Sequence, residues 1–137
     1  VLGLHTHKLN ATEWAWSATP SGPVFLQYVL APRYTARARM GAGQTHHFAL
    51  AVADDAVQAA FIQRIRAAGL RVTDMLDRSY FHSIYTNDPD GHIVEIATVP
   101  PGFTVDEPQA ELGQKLMLPD WLEPHRSDIT AKLTPLS

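Results

Sequence analysis

The chain has 137 residues, 45% of them hydrophobic and 18% charged, which is enough for one domain with a hydrophobic core. Its formal net charge is −3 and it has no dense cluster of lysine or arginine, so nucleic acid is excluded as an expected partner. The lack of cysteine excludes disulfides and thiolate catalysis and fits a reducing compartment, so we expect a cytoplasmic protein. No apolar run is long enough to span a bilayer, so we expect no membrane partner.

The first 44 residues predict short strands followed by a loop. The clearest strand covers residues 22–32, where β-branched and aromatic side chains stand between a Gly-Pro and an Ala-Pro pair. Residues 36–44 are small, basic and glycine-bearing, which indicates a loop. The chain begins with valine and no signal peptide is visible there, so we expect its start to be a processed end or the middle of a longer protein.

Residues 45–99 predict one βαβββ unit. The stretch THHFALAV, residues 45–52, predicts a strand, and Asp54 or Asp55 offers an N-cap to a helix that ends before Gly69. The apolar residues of this helix recur at helical spacing, namely Val57, Ala60, Phe61, Ile65 and Ala68. Three more strands are predicted over 70–76, 79–86 and 92–99, and the last two are joined by a tight turn at 87–91.

Residues 100–137 predict an extended and helical C-terminal tail. Prolines interrupt its first part, and short helices are predicted over 110–117 and 127–133. We expect this tail to pack against the edge of the sheet.

Two strand residues in this unit have the chemistry of metal ligands. On the first strand, His47 shares a face with the small residues Ala49 and Ala51, so that face is predicted to front a cavity. On the last strand, Glu95 shares a face with Ala97, and a carboxylate in a buried strand is costly unless it is paired or binds a metal. The first and last strands of a βαβββ unit can line one concave sheet, which predicts that the imidazole and the carboxylate converge.

The spacing alone leaves two interpretations of this pair open. A second histidine would complete the 2-His-1-carboxylate set of non-haem Fe(II) oxygenases, which keeps open positions for O₂ and substrate. In the other interpretation, His47 is a structural histidine and Glu95 pairs with Arg78.

The sequence resembles the vicinal-oxygen-chelate superfamily of glyoxalases and extradiol dioxygenases, in which βαβββ modules pair around a metal. The resemblance lies in THHFALAV, in the helix after it and in NDPDGHIVEIAT, residues 87–98. The run from Phe81 to Pro124 is similar to the C-terminal part of hydroquinone-type ring-cleaving dioxygenases. The resemblance implies an α+β fold with a complete module at 45–99, strands of a truncated module and a linker at 1–44, and the tail at 100–137.

The resemblance also assigns roles by position. His47 and Glu95 match the metal ligands, and His46 matches a histidine beside the substrate or behind the ligands. Arg78 and Tyr85 match an arginine and a tyrosine that line the active site. We therefore expect His46, Arg78 and Tyr85 to be catalytic.

Other histidines and the tryptophans receive no catalytic role. His82 falls on the strand face opposite Tyr85 and is expected to be structural. The third ligand of relatives comes from a GLHH strand, which GLHTH at residues 3–7 resembles only superficially, so His5 and His7 are expected to be incidental. The tryptophans at positions 14 and 16 are expected to be packing residues.

The implied function is an Fe²⁺-dependent, extradiol-type dioxygenase that cleaves hydroquinone- or catechol-like phenols with O₂; Mn²⁺ is the alternative metal. A small aromatic substrate and O₂ are thus the expected partners. The chain is expected to be the C-terminal portion of a longer enzyme, and to associate with the missing N-terminal region or with a second copy of itself. Two other functions stay open: a glyoxalase-type metal-dependent lyase or isomerase, and a metal-free protein that sequesters a drug in the same fold.

Overall fold

The computed structural model describes residues 1–30 and 41–134. In the first of these ranges, three strands form an antiparallel sheet in the order β1-β2-β3: β1 His5–Lys8, β2 Glu13–Ser17 and β3 Val24–Val29. The short strands expected here are therefore confirmed, although β3 is shorter than the predicted span 22–32. The predicted loop at 36–44 lies outside the described residues except for 41–44.

The second sheet belongs to a βαβββ module. Its elements are β4 His47–Val52, α1 Asp55–Ala67, β5 Leu76–Asp77, β6 Phe81–Asn87 and β7 Ile93–Pro101. The strand order is β4-β7-β6-β5, with β4 parallel to β7 and the other neighbours antiparallel. The predicted order of elements is confirmed, and the first and last strands of the module lie side by side. The division at residues 44 and 99 into three segments stays a prediction.

Helix α1 begins and ends where the sequence predicts. The Asp54 side chain accepts a hydrogen bond from the backbone N–H of Val57 at 2.9 Å, which caps the helix. Gly69 follows the last turn with a φ of +74°, a left-handed conformation that favours glycine.

The predicted apolar face of α1 is confirmed at Ile65, which is buried, and at Phe61, which packs against the core, but it is wrong at Val57. The buried residues are Gln58, Ile62 and Ile65, whereas Val57 is 40% exposed. Gln58 faces the sheet because its amide donates to the backbone carbonyls of His82 and Ile96, each at 2.8 Å. A polar side chain thus occupies the stripe that faces the core.

The core lies between α1 and the second sheet. Its central side chains are all isoleucines, from α1, β6 and β7: Ile62, Ile65, Ile84 and Ile96. Partly buried apolar residues surround them, among them Leu2 from the N-terminal segment and Val52 from β4. The helix therefore covers one face of the sheet, and the other face is free to carry the functional groups.

The strand predicted over 70–76 forms only as Leu76–Asp77. The segment before it still runs along β6: the N–H of Thr73 donates to the carbonyl of Tyr85, and the hydroxyl of Thr73 accepts from the N–H of Tyr85, both at 3.0 Å. Because a side-chain oxygen replaces one backbone acceptor, the segment is not a regular strand.

Up to residue 134, where the described part of the tail ends, it contains one α-helix, whereas two helices were predicted. The helix expected over 127–133 is confirmed as α2 Arg126–Lys132, which continues from the 3-10 helix Asp120–His125. The helix expected over 110–117 is wrong: only the 3-10 turn Gln109–Glu111 forms, and Gly113 has a φ of +78° that no helix accommodates. Among the described residues, no helix has both the length and the apolar character needed to cross a membrane.

The first sheet is tied to the module at the turn between β6 and β7. Asp88 accepts hydrogen bonds from the N–H of Asp90 at 2.9 Å, from the N–H of His92 at 2.8 Å and from the Tyr28 hydroxyl at 2.8 Å. Burial works against ionisation of Asp88, but these donors hold its pKa below the usual value. Burial and the same contact raise the pKa of Tyr28.

Candidate metal and substrate site

The side chains of His47 and Glu95 meet on the face of the sheet that α1 leaves open. In the parallel pairing of β4 with β7, His47 stands opposite Ile93 and Ala49 opposite Glu95. The Nε2 atom of His47 lies 2.9 Å from Oε2 of Glu95, and the two side chains are 38% and 6% exposed. The predicted convergence of these two side chains is thus present, because the alternation of each strand and their adjacency both hold.

The second oxygen of Glu95 is held by two hydroxyl groups of β6. The Tyr85 hydroxyl donates to Oε1 at 3.0 Å, and the hydroxyl of the fully buried Ser83 donates to the same oxygen. Ser83 was not singled out from the sequence. Its only signal is that it shares a strand face with Tyr85, two residues on.

Arg78 contacts Tyr85 and not Glu95. One guanidinium nitrogen of Arg78 lies 3.4 Å from the Tyr85 hydroxyl, and its central carbon lies 5.5 Å from the centre of the tyrosine ring. Among the described residues, the partners of Glu95 are His47, Ser83 and Tyr85. The interpretation in which Glu95 pairs with Arg78 is therefore wrong.

His46 lies beside His47 instead of on the opposite face. The two Nδ1 atoms are 2.7 Å apart, and the rings meet edge to face with centres 5.0 Å apart. Strict alternation along the strand predicted over 45–52 would place His46 on the face opposite His47. The expectation fails because β4 begins at His47, so the residue before it does not follow the alternation of the strand.

A cavity of about 580 Å³ opens in front of these groups. It is lined by His46, His47, Arg71, Val72, Thr73, Arg78, Tyr85, Thr86, Asn87 and Ile93. Four of the five predicted site residues are in that lining, and the fifth, Glu95, is buried in contact with His47 and Tyr85. Arg71 was missed, since it lies in the irregular segment before β5, where the sequence predicts a plain strand.

The donors present fit part of a metal site. An imidazole nitrogen and a carboxylate oxygen, side by side on neighbouring strands, are two of the three ligands that a 2-His-1-carboxylate centre requires. Within residues 1–30 and 41–134, no three or more His, Asp or Glu side chains are grouped closely enough to hold an ion. His7 forms a hydrogen bond with Ser17 in the first sheet, with its Nε2 atom 2.6 Å from the serine Oγ. The source of a third ligand therefore lies outside this pair.

His82 lies on the far side of the sheet from the cavity, as the alternation predicts. Its Nδ1 is 2.7 Å from a carboxylate oxygen of Asp55 in the first turn of α1. The hydrogen bond to Asp55 raises the pKa of His82. Its contacts join β6 to the helix and do not reach Glu95.

Comparison with known proteins places these residues in a family. The family model described as the Glyoxalase/Bleomycin resistance protein/Dioxygenase superfamily matches residues 7–96. MhqO of Bacillus subtilis, whose name gives ring-cleaving dioxygenase as a provisional assignment, is 46% identical over 99 residues, which are 72% of this chain and 32% of that protein. The chlorohydroquinone/hydroquinone 1,2-dioxygenase of Sphingobium indicum is 44% identical over 87 residues, 61% of this chain and 26% of that enzyme.

A solved structure extends the likeness to the whole chain. The crystal structure of a provisionally assigned dioxygenase from Bacillus subtilis has a TM-score of 0.85 and 39% identity, and the match covers 98% of this chain and 43% of that one. The predicted fold, an α+β chain with a βαβββ module, is confirmed. The chain spans about a third of the length of the curated relatives it matches.

Proposed function

We propose that this chain, which belongs to the glyoxalase/bleomycin resistance protein/dioxygenase superfamily, supplies metal ligands and substrate contacts to a ring-cleaving dioxygenase. The observation that carries the proposal is the contact between His47 and Glu95 at the cavity. The similarity to two proteins named as ring-cleaving or hydroquinone dioxygenases supports this chemistry over others on the same fold. Hydroquinone- or catechol-like phenols are the proposed substrates, cleaved in the extradiol manner, and O₂ is the second substrate.

His47 Nε2 and Glu95 Oε2 are the proposed ligands of one divalent metal, Fe²⁺ or, as the alternative, Mn²⁺. When bound, such a metal supplies neighbouring positions for a phenolic oxygen and for O₂. The ligands come from a buried carboxylate and a half-exposed imidazole, so the metal would lie where the cavity meets the sheet.

His46 prepares His47 for this role. The 2.7 Å contact between the two Nδ1 atoms requires that one of them carries the proton. When the proton is on Nδ1 of His47, its Nε2 has a free lone pair directed at the metal position. In that tautomer His46 accepts the hydrogen bond and orients the ligand ring, and its own ring stays at the cavity to contact substrate or O₂.

Tyr85 and Arg78 are the proposed substrate contacts. The Tyr85 hydroxyl lines the cavity and lies within hydrogen-bond distance of Glu95, so it can turn from the carboxylate to a substrate oxygen. The Arg78 guanidinium packs on the tyrosine ring at the same cavity, where a fixed positive charge stabilises negative charge that develops on oxygen.

The rest of the metal site is proposed to come from a further region of a longer enzyme or from a second copy of the chain. The relatives are about three times as long as the matched segment, which leaves room for another ligand-bearing module. The proposed location remains the cytoplasm.

The test places this chain in the setting of a complete relative. A chimera in which it replaces the corresponding segment of MhqO is loaded with Fe²⁺, and O₂ uptake with hydroquinone is recorded. We expect uptake that depends on both hydroquinone and metal, and its loss in the Glu95→Ala chimera. Conversion of a glyoxalase substrate without O₂ uptake would support the lyase or isomerase function, and ligand binding without turnover or metal would support the sequestering protein; either result contradicts the proposal.

A further inference from the structure

The two oxygens of Glu95 have different surroundings. Oε2 faces His47 Nε2 at 2.9 Å, whereas Oε1 accepts hydroxyl hydrogen bonds from Ser83 and Tyr85. The carboxylate is therefore divided into one oxygen that faces the histidine and one that is held within the sheet.

Ser83 and Tyr85 hold that oxygen from different positions. Ser83 is fully buried in β6, with neighbouring strands on both sides, and its hydroxyl has Glu95 as its hydrogen-bond partner among the described residues. Tyr85 lines the cavity and is in contact with Arg78. A hydroxyl at the cavity can be drawn away by a substrate, but a fully buried one has no such alternative. Ser83 is thus the permanent donor to Oε1.

The backbone around Ser83 is fixed from the helix side. The amide of Gln58 donates to the carbonyl of His82, the residue before Ser83, and to the carbonyl of Ile96, the residue after Glu95. Gln58 is fully buried, so both bonds form away from water, where leaving a carbonyl unpaired is costly. The bridge therefore holds the two strands at the level where the serine meets the carboxylate.

We propose that Ser83 is a positioning residue that makes Glu95 a one-oxygen metal ligand. With Oε1 engaged by the Ser83 hydroxyl, Oε2 alone is presented beside His47 Nε2. A metal held by these two atoms would then keep the position that a chelating carboxylate fills available for substrate or O₂. The inference rests on the proposed metal role of His47 and Glu95. It goes beyond that role because it assigns the geometry of the site to a residue that touches neither metal nor substrate.

The experiment measures metal binding directly, without turnover. Co²⁺ is added to the purified chain, because it binds nitrogen and oxygen ligands more tightly than Mn²⁺ or Fe²⁺. The dissociation constant is taken from the paramagnetic shifts of the His47 ring signals, which report this site even when binding is weak. The variants are Ser83→Ala, Glu95→Gln and the double variant. Ser17→Ala is the matched control, since Ser17 is an equally buried serine of the other sheet.

Loss of such a supporting hydrogen bond weakens metal binding by about 10-fold or more, so we expect that effect for Ser83→Ala in the chain with Glu95. In the Glu95→Gln background the same substitution should change the affinity less than about twofold, since Ser83 acts through the carboxylate. Ser17→Ala should leave it unchanged. Circular dichroism melting checks that every variant is folded.

The outcomes separate the inference from the function on which it rests. Unchanged affinity in Ser83→Ala, an equal loss in Ser17→Ala, or an equal loss in both backgrounds overturns the role of Ser83 alone. An unaltered affinity in Glu95→Gln, or His47 signals that do not respond to Co²⁺ at all, overturns the proposed metal site and the inference together. If Ser83→Ala fails to fold, Ser83→Thr replaces it, and wild-type affinity in that hydroxyl-bearing variant supports the inference while a 10-fold loss overturns it.

Discussion

The two sheets of this chain carry similar alternating sequences but bury them to different extents. In the module, Ile84 of β6 and Ile96 of β7 are no more than 1% exposed beneath α1. In the first sheet, Val29 of β3 is 63% exposed and Phe25 is 48% exposed. A strand at the edge of a sheet with exposed apolar residues is a surface that another chain segment can cover. The module thus has a buried core of its own, whereas the first sheet leaves apolar side chains exposed that another chain segment can cover.

This difference bears on where the site can be complete. The proposed ligands His47 and Glu95 lie on the sheet with the packed core, so their geometry follows from contacts within the module. One contact between the first sheet and the module is the hydrogen bond from Tyr28 to Asp88. We infer that the module fixes the two proposed ligands by itself, and we propose that the first sheet joins the module to the region that supplies a third.

The largest expected effect concerns completeness. The isolated chain should show no ring cleavage under conditions in which the MhqO chimera consumes O₂, because two protein ligands hold a metal weakly where three are needed. It should also associate through the first sheet, which light scattering of the purified chain would detect. If the isolated 137-residue chain is monomeric, metal-replete and active, the proposal that another region supplies the third ligand is wrong. His5 or His7 then becomes the candidate third ligand.

The next effect separates two buried carboxylates. Glu95→Ala should remove the Fe²⁺ bound by the anaerobically prepared MhqO chimera, while Glu107→Ala in the same chimera should keep it. Glu107 is a fair control because it is 9% exposed and accepts a hydrogen bond from the N–H of Gly113 in the tail, away from the cavity. Elemental analysis of the two variants gives the comparison. Equal iron in Glu95→Ala and wild type would remove the carboxylate from the site.

A smaller effect compares one tyrosine from each region. Tyr85→Phe and Tyr28→Phe each remove a hydroxyl that bonds a carboxylate, so each should cost roughly 1–3 kcal/mol of stability. In the chimera, only Tyr85→Phe should also lower turnover, and by far more than the loss of stability explains. Denaturant unfolding and O₂ uptake measure the two quantities. Full turnover in Tyr85→Phe would show that its hydroxyl has no part in the reaction.

The sequence predicts the framework of the site because the alternation of side chains along the strands and the order of the elements are both visible in it. The alternation along β4 and β7 and the βαβββ order are enough to bring His47 and Glu95 together, and the turn residues at 87–91 set the register of the hairpin. Each of these patterns is set by residues that are close together in the sequence, and the folded chain keeps them.

The features that the sequence analysis missed depend on contacts with residues far along the chain or on the residue at which a strand begins. Gln58 is buried because carbonyls 24 and 38 residues later accept its amide, and no helical periodicity of apolar residues can show that. His46 lies beside His47 because the strand begins two residues later than predicted, at His47 itself. The segment before β5 uses a threonine hydroxyl in place of a backbone acceptor, which composition alone does not indicate.

The smallest expected effect lies on the face of the sheet away from the cavity, at His82. The hydrogen bond to Asp55 raises the pKa of His82 in the folded chain, and the charges of Asp55 and Asp77 add to this. The unfolded histidine has a pKa of about 6.5. The pair therefore stabilises the fold fully below that pH, and its contribution is lost as pH rises through the higher folded value.

Melting temperatures measured across this pH range should therefore fall more steeply in the wild type than in His82→Asn, and Asp55→Asn should flatten the profile in the same way. The effect is small because both side chains of the pair are partly exposed to solvent, which screens it. Metal binding at His47 should stay the same in both variants, since His82 and Asp55 lie across the sheet from the cavity. A wild-type profile that matches that of His82→Asn would contradict the pairing, and a change in metal affinity would show that the two faces of the module are coupled.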